Sequence, residues 1–428
     1  MPHTSITANA RHPDSHDEVP GSVNRPLRLA YFVSHPIQYQ APLLRRIARE
    51  SDIDLTVFFS SDLSVREYDD PGFGVRVQWD IPLLDGYCHE FLPRLRDSAS
   101  LGFARPLNYG IFERLRRGRF DAVWVFGYAQ LFSLNAIVAA KMLGIPVLLR
   151  SDSNLGDRPR SRRTLLAKRI LANLLRSAVS CVVSVGQAND AYWRHYFGRD
   201  FPIVRMPYAV DNDFFRRTAL DAAPRREDLR RELGLEPGRP VVLFASKLQA
   251  RKRCIDLVEA WIRLAPAPGV DPNGYLLIVG DGGERSSLEA RVRASGLSSI
   301  RFLGFRNQTE LPRFFDLCDI FVLPSIHEPW GLIVNEVMNA GRPVIVSDQV
   351  GCQPDLVEDG LNGLVFPACD VEALSRCLSQ LLDNPELRAS MGDNGLRLIG
   401  SYSIEEDIAG LRQALAAVVH TFSASPES

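Results

Sequence analysis

At 428 residues the chain exceeds one ordinary domain and predicts two or three, with 46% hydrophobic residues to fill their cores. A formal net charge of -1 argues against a general nucleic-acid binder. Seven scattered cysteines without a CxxC pair fit a reducing cytosol, and eight histidines without HExxH-type spacing offer no metal site.

Residues 1–25, rich in Pro, Ser, His and Asp, read as a disordered tail that lacks the apolar core of a signal peptide. No apolar run is long enough to cross a bilayer, so a cytoplasmic protein is expected. Order begins with the buried strand Leu27–Val33, followed by the loop SHPIQYQAP and the helical pattern LLRRIARE. IDLTVFF is a second strand. Residues 60–107 are irregular and rich in turn formers, and read as an insert on the acceptor side. Strands (DAVWVFG, IPVLLR, VSCVVSV) then alternate with helices (IFERLRRG, LFSLNAIVAAKML, RRTLLAKRILANLLRSA). This alternation predicts a doubly wound parallel sheet.

The pattern breaks at PYAVDNDFF, Pro207 to Phe215, and a second alternation follows from VVLFAS to PVIVS. The fold class is therefore α/β: two Rossmann-like doubly wound domains, 26–208 and 209–403, facing across a cleft. A last helix, about 404–420, is expected to pack back on the first domain. Ligands of such a pair sit in the cleft, at the carboxyl ends of the strands.

The second half carries the chemistry. In PSIHEPWGLIVNEVMNAGRPVIVSD, residues 324–348, a strand end is followed by a loop, a helix and another strand. Glu328 stands before the helix and Glu336 within it. Eight residues of helix rise about 12 Å, too far for a close acid/base pair but suited to gripping two parts of one elongated ligand. The N–H groups of Gly331, Leu332 and Ile333 favour an anion there. The alternative is a capping Glu328 and a solvent-facing Glu336. KLQARKRC sets Lys247, Arg251, Lys252 and Arg253 directly after a buried strand, which suits a diphosphate; a solvated basic turn is the alternative. IVGDGGERSSLE is not a dinucleotide fingerprint, because Arg285 holds the place of the third glycine of GxGxxG. Gly280 and Gly282 read either as a turn that lets backbone approach a ligand or as a plain strand-to-helix turn.

Glu328-x7-Glu336 in this setting resembles the EX7E signature of the retaining glycosyltransferases of family 4, with their GT-B fold. PYAVDNDFF, SKLQARK, IVGDGG, FLGFRNQTEL and DLVEDGLNGLVF resemble the family's other segments in the same order, over about Val204 to Tyr402. The resemblance implies that Glu336 holds the ribose of a nucleotide sugar and that Glu328 contacts the donor sugar near the reacting centre. It implies that Lys247 and Lys252 neutralise the leaving diphosphate and that Gly304, Phe305 and Arg306 border the base. No metal or other cofactor is expected.

The chain departs from the family pattern at several positions. Lys247 stands where the family mostly has Arg, and Ser246 where it mostly has Gly. The loop SHPIQYQ lacks the usual glycine pair, and His35 and Gln38 lie there instead. Ser151–Asn154 stand where many members carry a His. His35, Gln38 and Asp152 are the acceptor-side candidates, with a cap, turn or buried hydrogen bond as the alternative for His35 and Asp152. From Arg150 to Arg176, eight basic and two acidic residues give +6. Leu166, Ile170, Leu174 and Leu175 fall mostly on one side of this helix. Either that side packs on the sheet, or it meets a membrane surface and serves a lipid-linked acceptor.

The activity implied is metal-independent transfer of a sugar, with retention, from a nucleotide diphosphate sugar to an acceptor hydroxyl. A nucleotide-sugar 2-epimerase-like enzyme and a non-catalytic nucleotide-sugar-binding subunit are the alternatives.

Overall fold

The computed structural model describes residues 25–70, 72–95, 101–156 and 161–419. The expected tail, up to residue 24, lies outside the described residues, as do Asp157, Arg158 and Arg160 of the basic run.

The first half opens with Leu27–Val33 (β1) and Ile53–Phe59 (β2). Tyr68–Asp70 (β3) and Val75–Val77 (β4) form an antiparallel hairpin apart from the main sheet. Cys88–Phe91 (β5), Ala122–Phe126 (β6), Val147–Ser151 (β7), Cys181–Ser184 (β8) and Ile203–Arg205 (β9) complete a seven-stranded parallel sheet of order β5-β2-β1-β6-β7-β8-β9. The second half contains Val241–Ala245 (β10), Tyr275–Val279 (β11), Ile300–Gly304 (β12), Ile320–Leu323 (β13), Val344–Ser347 (β14) and Gly363–Phe366 (β15). They form a six-stranded parallel sheet of order β12-β11-β10-β13-β14-β15. Strands such as VVLFA and YLLIV are buried at every residue, because helices cover both faces of a parallel sheet.

Strand order reverses between β1 and β6 in the first sheet and between β10 and β13 in the second. Crevices at the carboxyl ends of such strands are the ligand sites of doubly wound folds. The β10 end leads into Ser246–Lys252 and the β13 end into Pro324–Glu328. The two motifs therefore flank one switch point, although about 75 residues of chain separate them, a distance the alternation of strands and helices spans. His35 lies just beyond the end of β1, at the switch point of the first sheet.

The last helix, Ile404–Val418, packs on the first half. Its Ile408, Leu411 and Leu415 share a core with Leu29, Trp124 and Cys181. Arg150 and Asp407 form a buried pair at 3.0 Å, and Arg412 reaches Asp52 at 2.9 Å.

Two expectations need correction. On the helix Arg162–Ala178, Leu166, Ile170 and Leu174 are 55–63% exposed, whereas Ala172 and Leu175 are buried. The apolar stripe therefore faces outward, and the side that packs on the protein is a narrower one. The 60–107 insert is not confined to the first half either. Asn307 Nδ2 donates to Gln78 O at 2.6 Å, the Thr309 N–H lies 3.2 Å from Asp80, and the Phe73 and Phe305 rings sit edge-on with centroids 4.8 Å apart. The insert thus crosses the cleft and lies against the second half.

Candidate active site

The loop after β10 is held by the loop after β11 through backbone alone. Ser246 N–H donates to Val279 O (3.1 Å) and Leu248 N–H to Asp281 O (2.8 Å). Gly280 has φ +131°, and a Cβ there would stand 1.9 Å from Ser246 O; at Gly282, φ is +153° and a Cβ would meet Leu248 O at 2.5 Å. Only glycine tolerates both the backbone angle and the approach. At these glycines the backbone closely approaches the lysine loop.

A single turn, Ala250–Lys252, closed by Arg253 in the left-handed region, turns Lys252 inward. Lys252 is buried and bonds Glu328. Arg251 holds the same loop: its Nη1 donates to His327 O at 3.0 Å, and its carbonyl accepts from Ile326 N–H at 2.9 Å. Burial lowers the Lys252 ammonium's pKa, and the Glu328 carboxylate opposes that shift.

Gly331, at φ +100°, opens the helix Leu332–Met338. Asn335 locks this helix to the linker: it accepts from Trp330 Nε1 at 2.9 Å and donates to Tyr208 O at 3.1 Å. Glu336, on the same helix, is buried rather than facing solvent. Gln308 Nε2 approaches it at 3.4 Å, and burial pushes its carboxyl up to about 8. At neutral pH it is therefore largely a neutral acid, able both to donate and to accept.

Of the residues singled out in the sequence, Lys247, Lys252, Gly280, Phe305, Arg306, Ile333 and Glu336 line one cavity of about 240 Å³. Gln38 reaches into it from the first half. Glu328 faces a second cavity of about 240 Å³, whose opposite wall is Asn154–Gly156 of the first half. The Lys252–Glu328 bond thus joins the walls of two cavities. Gly331 and Leu332 support the helix without lining either one, and Gly304 accepts from Gly280 N–H at 2.8 Å.

His35 and Asp152 line neither of these cavities. His35 Nδ1 lies 2.8 Å from Ser34 Oγ, and burial lowers its pKa to about 4, which keeps the ring neutral. The charge of Asp152 bears on Tyr39 and Tyr208. Arg251, one of the four cations after β10, also lines the first cavity, as do Phe73, Trp79 and Gln308, which the sequence reading did not single out. For Gln308 the signal was present, since it lies inside FLGFRNQTEL. Phe73 and Trp79 stand in the irregular insert, where nothing periodic marks them.

Residues 225–397 match the family described as glycosyl transferases group 1. The group 1 segment contains both glutamates, both lysines and the whole wall of the first cavity that the second half provides. The chain is 29% identical over 283 residues to the alpha-D-kanosaminyltransferase of Streptomyces kanamyceticus, covering 64% of this chain and 71% of that one. It is 30% identical over 278 residues to the 2-deoxystreptamine N-acetyl-D-glucosaminyltransferase of Streptomyces fradiae, covering 63% and 65%. Among solved structures, Anabaena HepE in complex with UDP superposes with a TM-score of 0.70 at 19% identity, covering 92% of this chain and 100% of that one. The sucrose-phosphate synthase of Thermosynechococcus elongatus gives 0.67 at 20% identity, covering 90% and 98%. The fold surrounding the group 1 segment is GT-B, two Rossmann-like domains with parallel sheets.

Proposed function

We propose that this protein is a retaining glycosyltransferase of family 4 type that moves a sugar from a nucleotide diphosphate sugar to an acceptor hydroxyl without a metal ion. The observation that carries this reading is the buried Lys252–Glu328 bond between two cavities, with cations on the wall of one and both halves of the chain on the walls of the other. The first cavity takes the donor. Glu336, neutral below about pH 8, exchanges hydrogen bonds with the ribose hydroxyls. Lys247 and Lys252 bring positive charge to the diphosphate, where negative charge grows as the sugar leaves. Glu328, anchored by Lys252, faces the sugar from the side of the second cavity, where the acceptor enters.

Among the described residues no nucleophile is positioned for a covalent intermediate, so the same-face route fits best. The bond from the anomeric carbon to the diphosphate oxygen breaks, the acceptor oxygen bonds to that carbon from the same side, and the hydroxyl proton passes to the departing diphosphate. The EX7E resemblance supports retention. A thermal-shift panel of UDP, GDP, ADP and their sugars, run without metal on wild type and Glu336→Ala, tests the donor site. One nucleotide series is expected to raise the melting temperature of the wild type only. If no nucleotide at millimolar concentration moves it, the donor assignment fails. The anomeric configuration of the product, read by proton NMR, tests retention.

The acceptor is proposed to be presented at an anionic membrane surface. Leu166, Ile170 and Leu174 stand out from the protein on the helix Arg162–Ala178, with Arg163, Arg169 and Arg176 also exposed. The loop before this helix supplies Asn154–Gly156 to the second cavity. Wild type is expected to sediment with vesicles containing phosphatidylglycerol but not with phosphatidylcholine alone, and the triple variant Leu166→Ser, Ile170→Ser, Leu174→Ser to stay in solution. Equal sedimentation of the two proteins would remove the membrane from this reading.

A further inference from the structure

The cation proposed for the diphosphate already holds an anion. Lys247 Nζ donates to both oxygens of Asp70, at 2.8 and 3.0 Å. Asp70 belongs to the first half, 177 residues earlier in the chain, at the turn of the β3–β4 hairpin. The carboxylate is buried and fixed in place. The N–H groups of Gly72 and Phe73 donate to Oδ1 at 2.7 and 3.0 Å, and Tyr68 OH donates to Oδ2 at 3.2 Å. The hairpin also seats its aromatic face on the donor wall. Lys247 Nζ lies 4.6 Å from the centre of the Phe73 ring, which packs edge-on against Phe305, and Phe73 and Trp79 line the donor cavity.

A carboxylate bonded to an ammonium through both oxygens makes the contact that a phosphate group makes. We propose that Asp70 is a specificity-determining residue for the donor, a built-in competitor for Lys247 that a ligand displaces only if it brings a diphosphate. This rests on the reading of the first cavity as the nucleotide site. A nucleoside has no group to offer Lys247 and gains nothing from Asp70 leaving. A nucleoside diphosphate replaces one carboxylate charge with the two or more charges of its phosphates near neutral pH, and the hairpin is freed. The cost of displacing Asp70 falls on every ligand that claims Lys247, so donors with fewer phosphate charges are disfavoured most.

The test is calorimetric titration of UDP, GDP and ADP, and of the matching nucleosides, into wild type, Asp70→Asn, Lys247→Ala and the double variant. Asparagine keeps the size of the side chain and its acceptor for the Gly72 and Phe73 N–H groups but removes the charge. Asp70→Asn is expected to tighten binding of the preferred nucleoside diphosphate roughly tenfold, the size of one charge-assisted hydrogen bond, and to leave the nucleoside unchanged. In the Lys247→Ala background the same substitution is expected to change nothing, which places the effect on this pair. Unchanged or weaker diphosphate binding by Asp70→Asn overturns the proposal. Weaker binding would make Asp70 a group that positions Lys247 for the donor. If no diphosphate binds wild type, the donor reading itself fails, and the two failures are thereby distinct. Hydrogen exchange in wild type gives a readout without a variant. Amides of residues 72–77 are expected to exchange faster when UDP or its preferred counterpart is added, and unchanged or slower exchange counts against displacement.

Discussion

Replacing Lys252 with alanine is expected to lower turnover by about 10²–10³-fold, the effect of removing one preorganised group that stabilises a developing anion. The same substitution leaves Glu328 buried without its ammonium partner, with Arg251 Nη1 at 3.9 Å as the nearest remaining cation. Breaking a buried pair from one side costs about 3–5 kcal/mol of stability. The two effects separate in the double variant Lys252→Ala, Glu328→Gln. Neutralising the orphaned carboxylate restores most of the stability but none of the turnover. Turnover is read as release of nucleoside diphosphate, and stability from denaturant midpoints. If Lys252→Ala loses stability but keeps turnover within a few-fold of wild type, Lys252 is a structural cation and the diphosphate charge is met elsewhere.

Glu336→Gln is expected to separate from wild type as pH rises. Burial raises the Glu336 carboxyl from its ordinary 4.5 to about 8. Between these values the folded protein holds a proton that the unfolded chain has released. Stability therefore falls as pH rises through that window and levels off above about pH 8. Glutamine has no proton to lose. Its melting temperature should match wild type near pH 4.5, exceed it by a growing margin up to pH 8, and keep that margin beyond. Nucleotide affinity follows the same sign. Wild type weakens above pH 8, where an ionised Glu336 can no longer donate to the ribose, whereas Glu336→Gln does not. Parallel stability curves for the two proteins from pH 5 to pH 9 would show that Glu336 is ionised throughout and grips the ribose as a carboxylate.

What could be read from the chain, and what could not, follows from the range of each signal. The strands of both sheets were legible because burial on two faces writes itself as runs such as VVLFA and YLLIV. The lysine and glutamate loops were legible because each follows such a strand directly. The burial of Glu336 was not, because its cover includes Gln308, 28 residues away, rather than a helical neighbour. Amphipathic spacing on Arg162–Ala178 showed that the two sides differ but not which one the protein covers, and the apolar one is the bare one. Gly280 and Gly282 signalled a close approach, and the partner proved to be the carbonyls of Ser246 and Leu248. Asp70 and Phe73 gave no signal at all. Their contacts cross from one half to the other, and an irregular segment has no period to betray which side chain points where.

The chain passes between its halves at two places, the linker near Pro207–Asp211 and the segment near Ser401–Ser403 that leads into the last helix. Asn212 ties the two crossings together, since its Nδ2 donates to Ile399 O at 3.1 Å and Tyr402 O at 3.3 Å. Two strands bound side by side do not swing as one strand does. Tied together, they restrict how one half could turn against the other. The Asp70–Lys247 contact and the walls of the second cavity also join the two halves, so a turn of one half against the other would alter both cavities. On the proposed reading, entry of the donor and entry of the acceptor would then be coupled.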